Sequence, residues 1–375
     1  MITRDIEGKI RDKLGKGKAI VLYGARQVGK TTLLTQIFGK DAPNDDTLWL
    51  NGDNESTRDI FKVASAEAYQ TLLGRYKTII IDEAQRIPDI GLKLKILQDN
   101  YGDRVQLIAT GSSSFELANK VNEPLTGRKW TFWLPAPTVG ELVHSFGKAH
   151  ELPLLEQRLI YGSYPAVVMD PENAGEIITE LAGDSLFRDV LNLGDIIKTD
   201  KLSLVLRALA LQIGSQVSMT EIASLVGIDR KTVEKYISLL EQSFIIFRLP
   251  SYGRNLRNEL KFSQKIYFYD TGIRNALIND YRPLDVRNDA GGIFENYVIA
   301  ELKKKYRSDN LYFWRNTDQQ EIDVVLEKNG ELTTFEIKYG NKTAKIPNSF
   351  AAAYSPASYT VITRDNYLDI LTDAN

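Results

Sequence analysis

One run of eight residues, Gly24-Ala25-Arg26-Gln27-Val28-Gly29-Lys30-Thr31, constrains this chain more than any other. It matches the spacing G-x-x-x-x-G-K-[ST] at every fixed position. The run follows the short apolar stretch Ala19–Tyr23 and leads into residues 31–38, which read as a helix. A strand, a tight loop and a helix are therefore expected in that order. The glycines let successive backbone N–H groups curl around an anion, and the helix aims its positive dipole end at the same point. Lys30 adds a cation, and Thr31 adds a hydroxyl of the kind that ligates Mg²⁺.

A second run completes such a site. Residues 78–83, Thr-Ile-Ile-Ile-Asp-Glu, read as a buried strand that delivers carboxylates at its C-terminal end, where open α/β sheets bind ligands. This is the Walker B pattern. Asp82 is expected to hold the Mg²⁺ shell, and Glu83 to orient or deprotonate an attacking water. The strand at 106–110 runs into Gly111-Ser112-Ser113-Ser114, which puts Ser112, with Thr110 behind it, next to the terminal phosphate. A serine turn capping a helix would fit the same letters. The expected nucleotide contacts are Gly24, Ala25, Arg26, Gln27, Val28, Gly29, Lys30, Thr31 and Thr32, with ATP and Mg²⁺ as ligands.

The chain has 375 residues, which is too many for one core and predicts two or three domains. Runs at Thr47–Asn51, 67–74 and Ile90–Tyr101 continue an alternation of strand and helix. That pattern predicts a parallel sheet covered by helices, a P-loop NTPase fold over residues 1–135. The proline-rich 134–139 reads as a hinge or boundary. Residues 136–250 read as mostly helical, and 251–375 as a small mixed α/β domain. The absence of cysteine excludes disulfides and thiolate metal sites. No apolar run reaches membrane length, so no membrane partner is expected and the default location is the cytoplasm. A net charge of −2 gives no global hint of nucleic-acid binding, although 47 Lys and Arg leave room for local patches.

Residues 219–240 read as helix, turn at Gly227, helix, with Asp229 as the second helix's cap and 244–249 as a wing strand. This predicts a winged helix-turn-helix. Arg230, Lys231 and Lys235 would approach a duplex, while Asp229 and Glu234 dilute the positive field. A scaffold or protein-binding role fits equally.

Near the end, a helix at 292–306 carries Glu295 and Glu301. Strand-like runs follow at Leu311–Arg315, 321–327 and 333–339, the last two joined by the hairpin signal Asn329-Gly330. Asp323 lies in one of these runs. Glu336 and Lys338 lie in the next, on one face. Two carboxylates and a lysine can hold a divalent metal and activate water against a phosphodiester. The order resembles the PD-(D/E)XK, or restriction-endonuclease-like, fold. The candidate site is Glu301, Asp323, Glu336 and Lys338, with Glu295 as the other choice for the helix carboxylate and a second divalent metal as its ligand. An ordinary sheet with solvated charges would show the same residues.

The motifs GARQVGKTT, IIIDEAQ, ATGSSS and LTGR together resemble the AAA+ superfamily. More narrowly, with YGSYPAVV, KIYFYDTGIRNAL, GGIFENYVIAEL and EIDVVL, the chain is similar to bacterial and archaeal ATPases that carry a C-terminal domain of unknown function. The resemblance implies an ATPase in which Lys30, Thr31, Asp82, Glu83 and Ser112 take the roles above. It also implies a role for Arg128, in Leu125-Thr126-Gly127-Arg128, as an arginine reaching a γ-phosphate of a neighbouring copy in a homo-oligomer; an ion-pair role on the surface is the alternative. Two function classes follow: an ATPase coupled to DNA or RNA binding or processing, or a regulatory NTPase switch whose C-terminal parts bind only protein.

Overall fold

The computed structural model describes residues 1–39, 46–73, 76–112, 125–185, 190, 199–253, 264–306, 310–340 and 343–373. The first sheet has five strands, β1 (Ala19–Tyr23), β2 (Thr47–Asn51), β3 (Thr78–Asp82), β4 (Gln106–Gly111) and β5 (Lys129–Trp133). They run parallel in the order β2-β3-β4-β1-β5. Both faces are covered, which is why β1 and the centre of β3 are apolar at every position. Ile20 and Leu22 pack with Ile80 and Ile108 beneath the helices Ile6–Arg11 and Lys30–Phe38. Val21 and Tyr23 pack with Ile79, Ile81 and Leu107 against Leu94 and Leu97 of the helix Ile90–Tyr101. Strand β4 lies between β1 and β3, so its C-terminal end is inserted between the glycine loop and the acidic strand end.

The proline-rich stretch after β5 is tied to the glycine loop. Leu134 N–H donates to the Tyr23 carbonyl at 2.7 Å, and a Cβ placed on Gly24 would stand 2.1 Å from the Leu134 carbonyl oxygen. Only glycine fits there. Thr138 and Glu141 then form a capping box that opens the helix Val139–Phe146.

Among the described residues, the middle region is mostly helical up to 242. The helices Met219–Val226 and Arg230–Gln242 meet at Gly227, in the left-handed conformation (φ 71°), and Asp229 accepts from Thr232 N–H at 2.9 Å to cap the second helix. Beside them stands a small antiparallel sheet of β6 (Gln216–Val217), β8 (Gln264–Phe268) and β7 (Ile246–Leu249), in that order. Strand β7, before the expected boundary at 250/251, therefore pairs with β8 beyond it. The sequence places these strands far apart, and their pairing is non-local.

A knot of buried polar groups fixes the middle helices. Asp270 accepts from Ser163, Gly272 and Ile273 N–H groups, and Asn275 donates to the Leu159 and Ile160 carbonyls at the end of the helix Leu155–Tyr161. Asp270 sits where a Cβ on Gly162 (φ 79°) would lie.

The C-terminal sheet runs β12 (Ser358–Ile362), β11 (Glu331–Ile337), β10 (Glu321–Lys328), β9 (Leu311–Arg315). Strands β9, β10 and β11 are antiparallel, and β12 is parallel to β11. The helix Ala290–Tyr306 packs on it. The turn between β10 and β11 has positive φ at both Asn329 and Gly330, as the hairpin signal requires. No helix among the described residues is long and apolar enough to cross a membrane.

Candidate functional site

The glycine loop leaves β1 and turns into the helix Lys30–Phe38 through left-handed backbone at Gln27 (φ 59°) and Gly29 (φ 96°). Arg4, almost fully buried, holds it from beneath. Its guanidinium donates to the Val28 carbonyl at 2.8 Å and to the Pro135 carbonyl, and pairs with Glu141 at 3.1 Å. Lys30 Nζ donates to the Gly24 and Ala25 carbonyls at 2.7 and 2.9 Å, so the ammonium lies inside the loop.

A connected set of side chains runs across the strand ends. Thr31 Oγ1 donates to Asp82 Oδ2 at 2.8 Å, and Thr110 Oγ1 donates to Asp82 Oδ1. The Thr110 hydroxyl also accepts from Glu83 N–H at 3.1 Å. Thr110 is thus engaged in fixing the acidic strand end, while Ser112 stands one step further out. Glu83 takes left-handed backbone (φ 48°), a costly conformation that concentrates at functional sites. Gln85 Nε2 reaches Glu83 Oε2 at 2.5 Å and Ser112 Oγ at 3.2 Å. Neither Arg4 nor Gln85 carries a spacing signal. Gln85 stood in view in Asp82-Glu83-Ala84-Gln85, but its role comes from β4 lying alongside.

The hydroxyl of Thr31 and the carboxylate of Asp82 are hard oxygen donors that suit Mg²⁺. Beside the loop lies a cavity of about 360 Å³, lined mainly by apolar groups from the chain's first residues (Ile2), the loop and its helix (Val28, Leu33) and the helix Pro165–Met169 of the middle region.

Arg128 is elsewhere. It precedes β5 at the end where β1 begins, its carbonyl accepting from Ala19 N–H, and its side chain pairs with Asp99 on the surface. The length of β1, roughly 16 Å, separates it from its own glycine loop.

In the C-terminal region, Val324 pairs with Phe335, so Asp323 and Glu336 are the next positions across the ladder, beside an irregularity between Ile322 and Val325. Asp323 is buried and accepts from Ile337 N–H at 2.8 Å. Burial, with Glu295 and Glu336 nearby, pushes its carboxyl up to about 7. Glu336 pairs with Lys338 at 2.5 Å. Lys265, from β8, pairs with Glu321 at 2.5 Å and Glu295 at 3.2 Å. Glu301 is engaged elsewhere. It accepts from Val139 N–H at 2.7 Å, opening the helix Val139–Phe146, and pairs with Lys304 at 2.8 Å. Six residues along a helix is about 240° around its axis, so Glu295 and Glu301 point to different sides. Glu295 is the helix carboxylate that acts on Asp323. Among the described residues no three acidic or histidine groups stand close enough to hold a metal ion.

On the second helix of the helix-turn-helix, Arg230 pairs with Glu234 at 2.9 Å, and Lys231 and Lys235 are exposed.

The parallel sheet, the glycine loop on β1 and the carboxylates on β3 define a P-loop NTPase fold. Residues 16–143 match the family described as AAA domain. Residues 152–283 and 290–373 match two families described as domains of unknown function, DUF8612 and DUF4143. An uncharacterized protein of Mycobacterium tuberculosis is 28% identical over 359 residues, covering 93% of this chain and 76% of its own. One of Methanocaldococcus jannaschii is 26% identical over 373 residues, covering 92% and 80%. Among solved structures, the Thermotoga maritima RuvB Holliday junction branch migration motor is 17% identical, covering 70% of this chain and 95% of its own, with a TM-score of 0.32.

Proposed function

We propose that the chain binds Mg²⁺-ATP at the glycine loop and hydrolyses it. The observation that carries this reading is the hydrogen-bonded set Thr31–Asp82–Thr110 and Glu83–Gln85–Ser112 at the strand ends beside Lys30. The loop N–H groups and Lys30 take the phosphates, and Thr31 and Asp82 hold the cation. Glu83 takes the proton of a water that attacks the γ-phosphorus as the bond to the β-phosphate oxygen breaks, giving ADP and phosphate. The apolar cavity beside the loop takes the base. Lys30→Ala tests the reading: nucleotide affinity or turnover should fall at least about tenfold, and unchanged values for both would contradict it.

Arg128 serves this site only from a neighbouring copy, which makes a homo-oligomer part of the proposal, in the cytoplasm. For the C-terminal half the reading is nucleic-acid binding or processing, with a winged helix and a nuclease-like sheet. What favours it is the exposed Lys231 and Lys235 at the start of the second helix and the buried Asp323 beside Glu295 and Glu336. Asp323, Glu336 and Lys338 would form the nuclease-like site, with a divalent metal held by the two carboxylates. ATP turnover stimulated by DNA or RNA, with binding that weakens steeply as salt rises, is the expected result. No stimulation and no salt-sensitive binding would leave the protein-binding switch as the reading.

A further inference from the structure

Gln85 lies in the short 3₁₀ turn Ala84–Arg86 that follows β3, two residues beyond Glu83, and its side chain is buried. Its amide nitrogen stands between two groups of the hydrolytic site, 2.5 Å from Glu83 Oε2 and 3.2 Å from Ser112 Oγ. A carboxylate only accepts hydrogen bonds, so the edge of the amide facing Glu83 must be its NH₂. The reverse placement would set one oxygen against another. The NH₂ has two hydrogens, and the geometry gives one to each neighbour.

That assignment fixes the polarity of both neighbours. Ser112 Oγ, accepting from Gln85, keeps its own O–H to donate in another direction. Ser112 follows Gly111, whose carbonyl accepts from Gly24 N–H at 3.2 Å, so this hydroxyl stands beside the start of the phosphate loop. Glu83, with Oε2 engaged, keeps Oε1 as the oxygen open to water. The left-handed backbone of Glu83 lies outside the usual strand geometry, and the turn is pinned by Arg86 N–H to the Glu83 carbonyl at 3.0 Å. Gly52 packs so close that a Cβ there would stand 2.3 Å from the same carbonyl. The backbone is held from two sides, and the side chain is held by Gln85.

We infer that Gln85 is a positioning residue for ATP hydrolysis, one amide that orients the Glu83 carboxylate toward water and turns the Ser112 hydroxyl toward the terminal phosphate. This rests on the hydrolytic reading above. It also couples the two groups, because a phosphate that draws Ser112 outward loosens the Gln85 bond that restrains Glu83.

The test uses the full chain with Gln85→Ala, Gln85→Leu, Gln85→Glu, Ser112→Ala and the Gln85→Ala/Ser112→Ala pair. Affinity for a fluorescent ATP analogue is measured beside kcat and KM for Mg²⁺-ATP. Affinity and KM should stay within about threefold of wild type while kcat falls about tenfold or more in Gln85→Ala and Gln85→Leu. Gln85→Glu, which sets a like charge against Glu83, should turn over no faster than Gln85→Leu. The double variant should be no slower than the slower single variant, because Ser112 works through the polarity that Gln85 sets. Leucine and glutamate fill nearly the same volume as glutamine, so they carry the test if Gln85→Ala melts early. Turnover by Gln85→Leu at the wild-type rate, or fully multiplicative losses in the double variant, would overturn the inference. A wild-type chain that neither binds nor turns over ATP would instead overturn the reading beneath it.

Discussion

Asp323 carries a charge problem that the sheet does not solve. Burial raises its carboxyl first, and the neighbouring Glu295 and Glu336 raise it further, to about 7 from the ordinary 3.8. The folded chain therefore keeps this proton over a range in which the unfolded chain has lost it. The stabilisation is complete below 3.8 and is lost as pH rises through about 7. Asparagine resembles the protonated form at every pH. Between about pH 5 and about pH 8 wild type should lose on the order of a few kcal/mol more stability than Asp323→Asn, read as a larger fall in melting temperature. Parallel melting curves across that range would contradict the assignment. Arg4 has the opposite history: its charge is buried but matched, by Glu141 and two carbonyls of the loop region.

Two elements are defined by what their glycines must accommodate. At Gly162 a side chain would overlap Asp270, with a Cβ only 1.9 Å from its Oδ1, on backbone already at φ 79°. At Gly227 the backbone is also left-handed (φ 71°), but the nearest atom is the end of Lys201 at 3.8 Å. Gly162→Ala should therefore cost roughly 3 kcal/mol or more, because a buried carboxylate that caps one helix and holds a loop must move. Gly227→Ala should cost only about 1 kcal/mol, the strain of the turn itself. Chemical denaturation checks both, and equal losses would contradict the account of the knot. These elements also show where reading the sequence stops. The strands Ala19–Tyr23 and Thr78–Asp82 were legible because burial on both faces demands unbroken apolar runs. The phosphate loop was legible because its chemistry fixes residue type and spacing together. β5, Lys-Trp-Thr-Phe-Trp, has no such run, and nothing in its local sequence marked it as a strand. The pairing of β7 with β8 was not legible because a long connection separates the two strands. Gln85, Arg4 and the choice of Glu295 over Glu301 depend on which elements lie side by side, and no local pattern carries that.

Across the whole molecule, the described regions are joined by specific bonds. Tyr252 N–H donates to the Phe313 carbonyl at 2.6 Å and Phe313 N–H to the Pro250 carbonyl at 2.9 Å, linking the middle sheet to β9. Lys265 adds ion pairs across the same junction. At the other end, the cavity beside the phosphate loop is shared between the P-loop domain and the helix Pro165–Met169, whose start is held by the Gly162–Asp270 knot. A nucleotide base in that cavity would touch both. Met169 is more than half exposed, so Met169→Glu should leave the melting temperature nearly unchanged while weakening nucleotide affinity about tenfold. An unchanged affinity would place the base elsewhere.

In the proposed reaction Glu83 is the base of an ATP-hydrolysing site. Glu83→Gln keeps the shape of the side chain and removes its ability to take a proton. In a single-turnover measurement with Mg²⁺-ATP, the variant should bind nucleotide as tightly as wild type and release phosphate at least about a hundredfold more slowly. Phosphate release at the wild-type rate would contradict the claim.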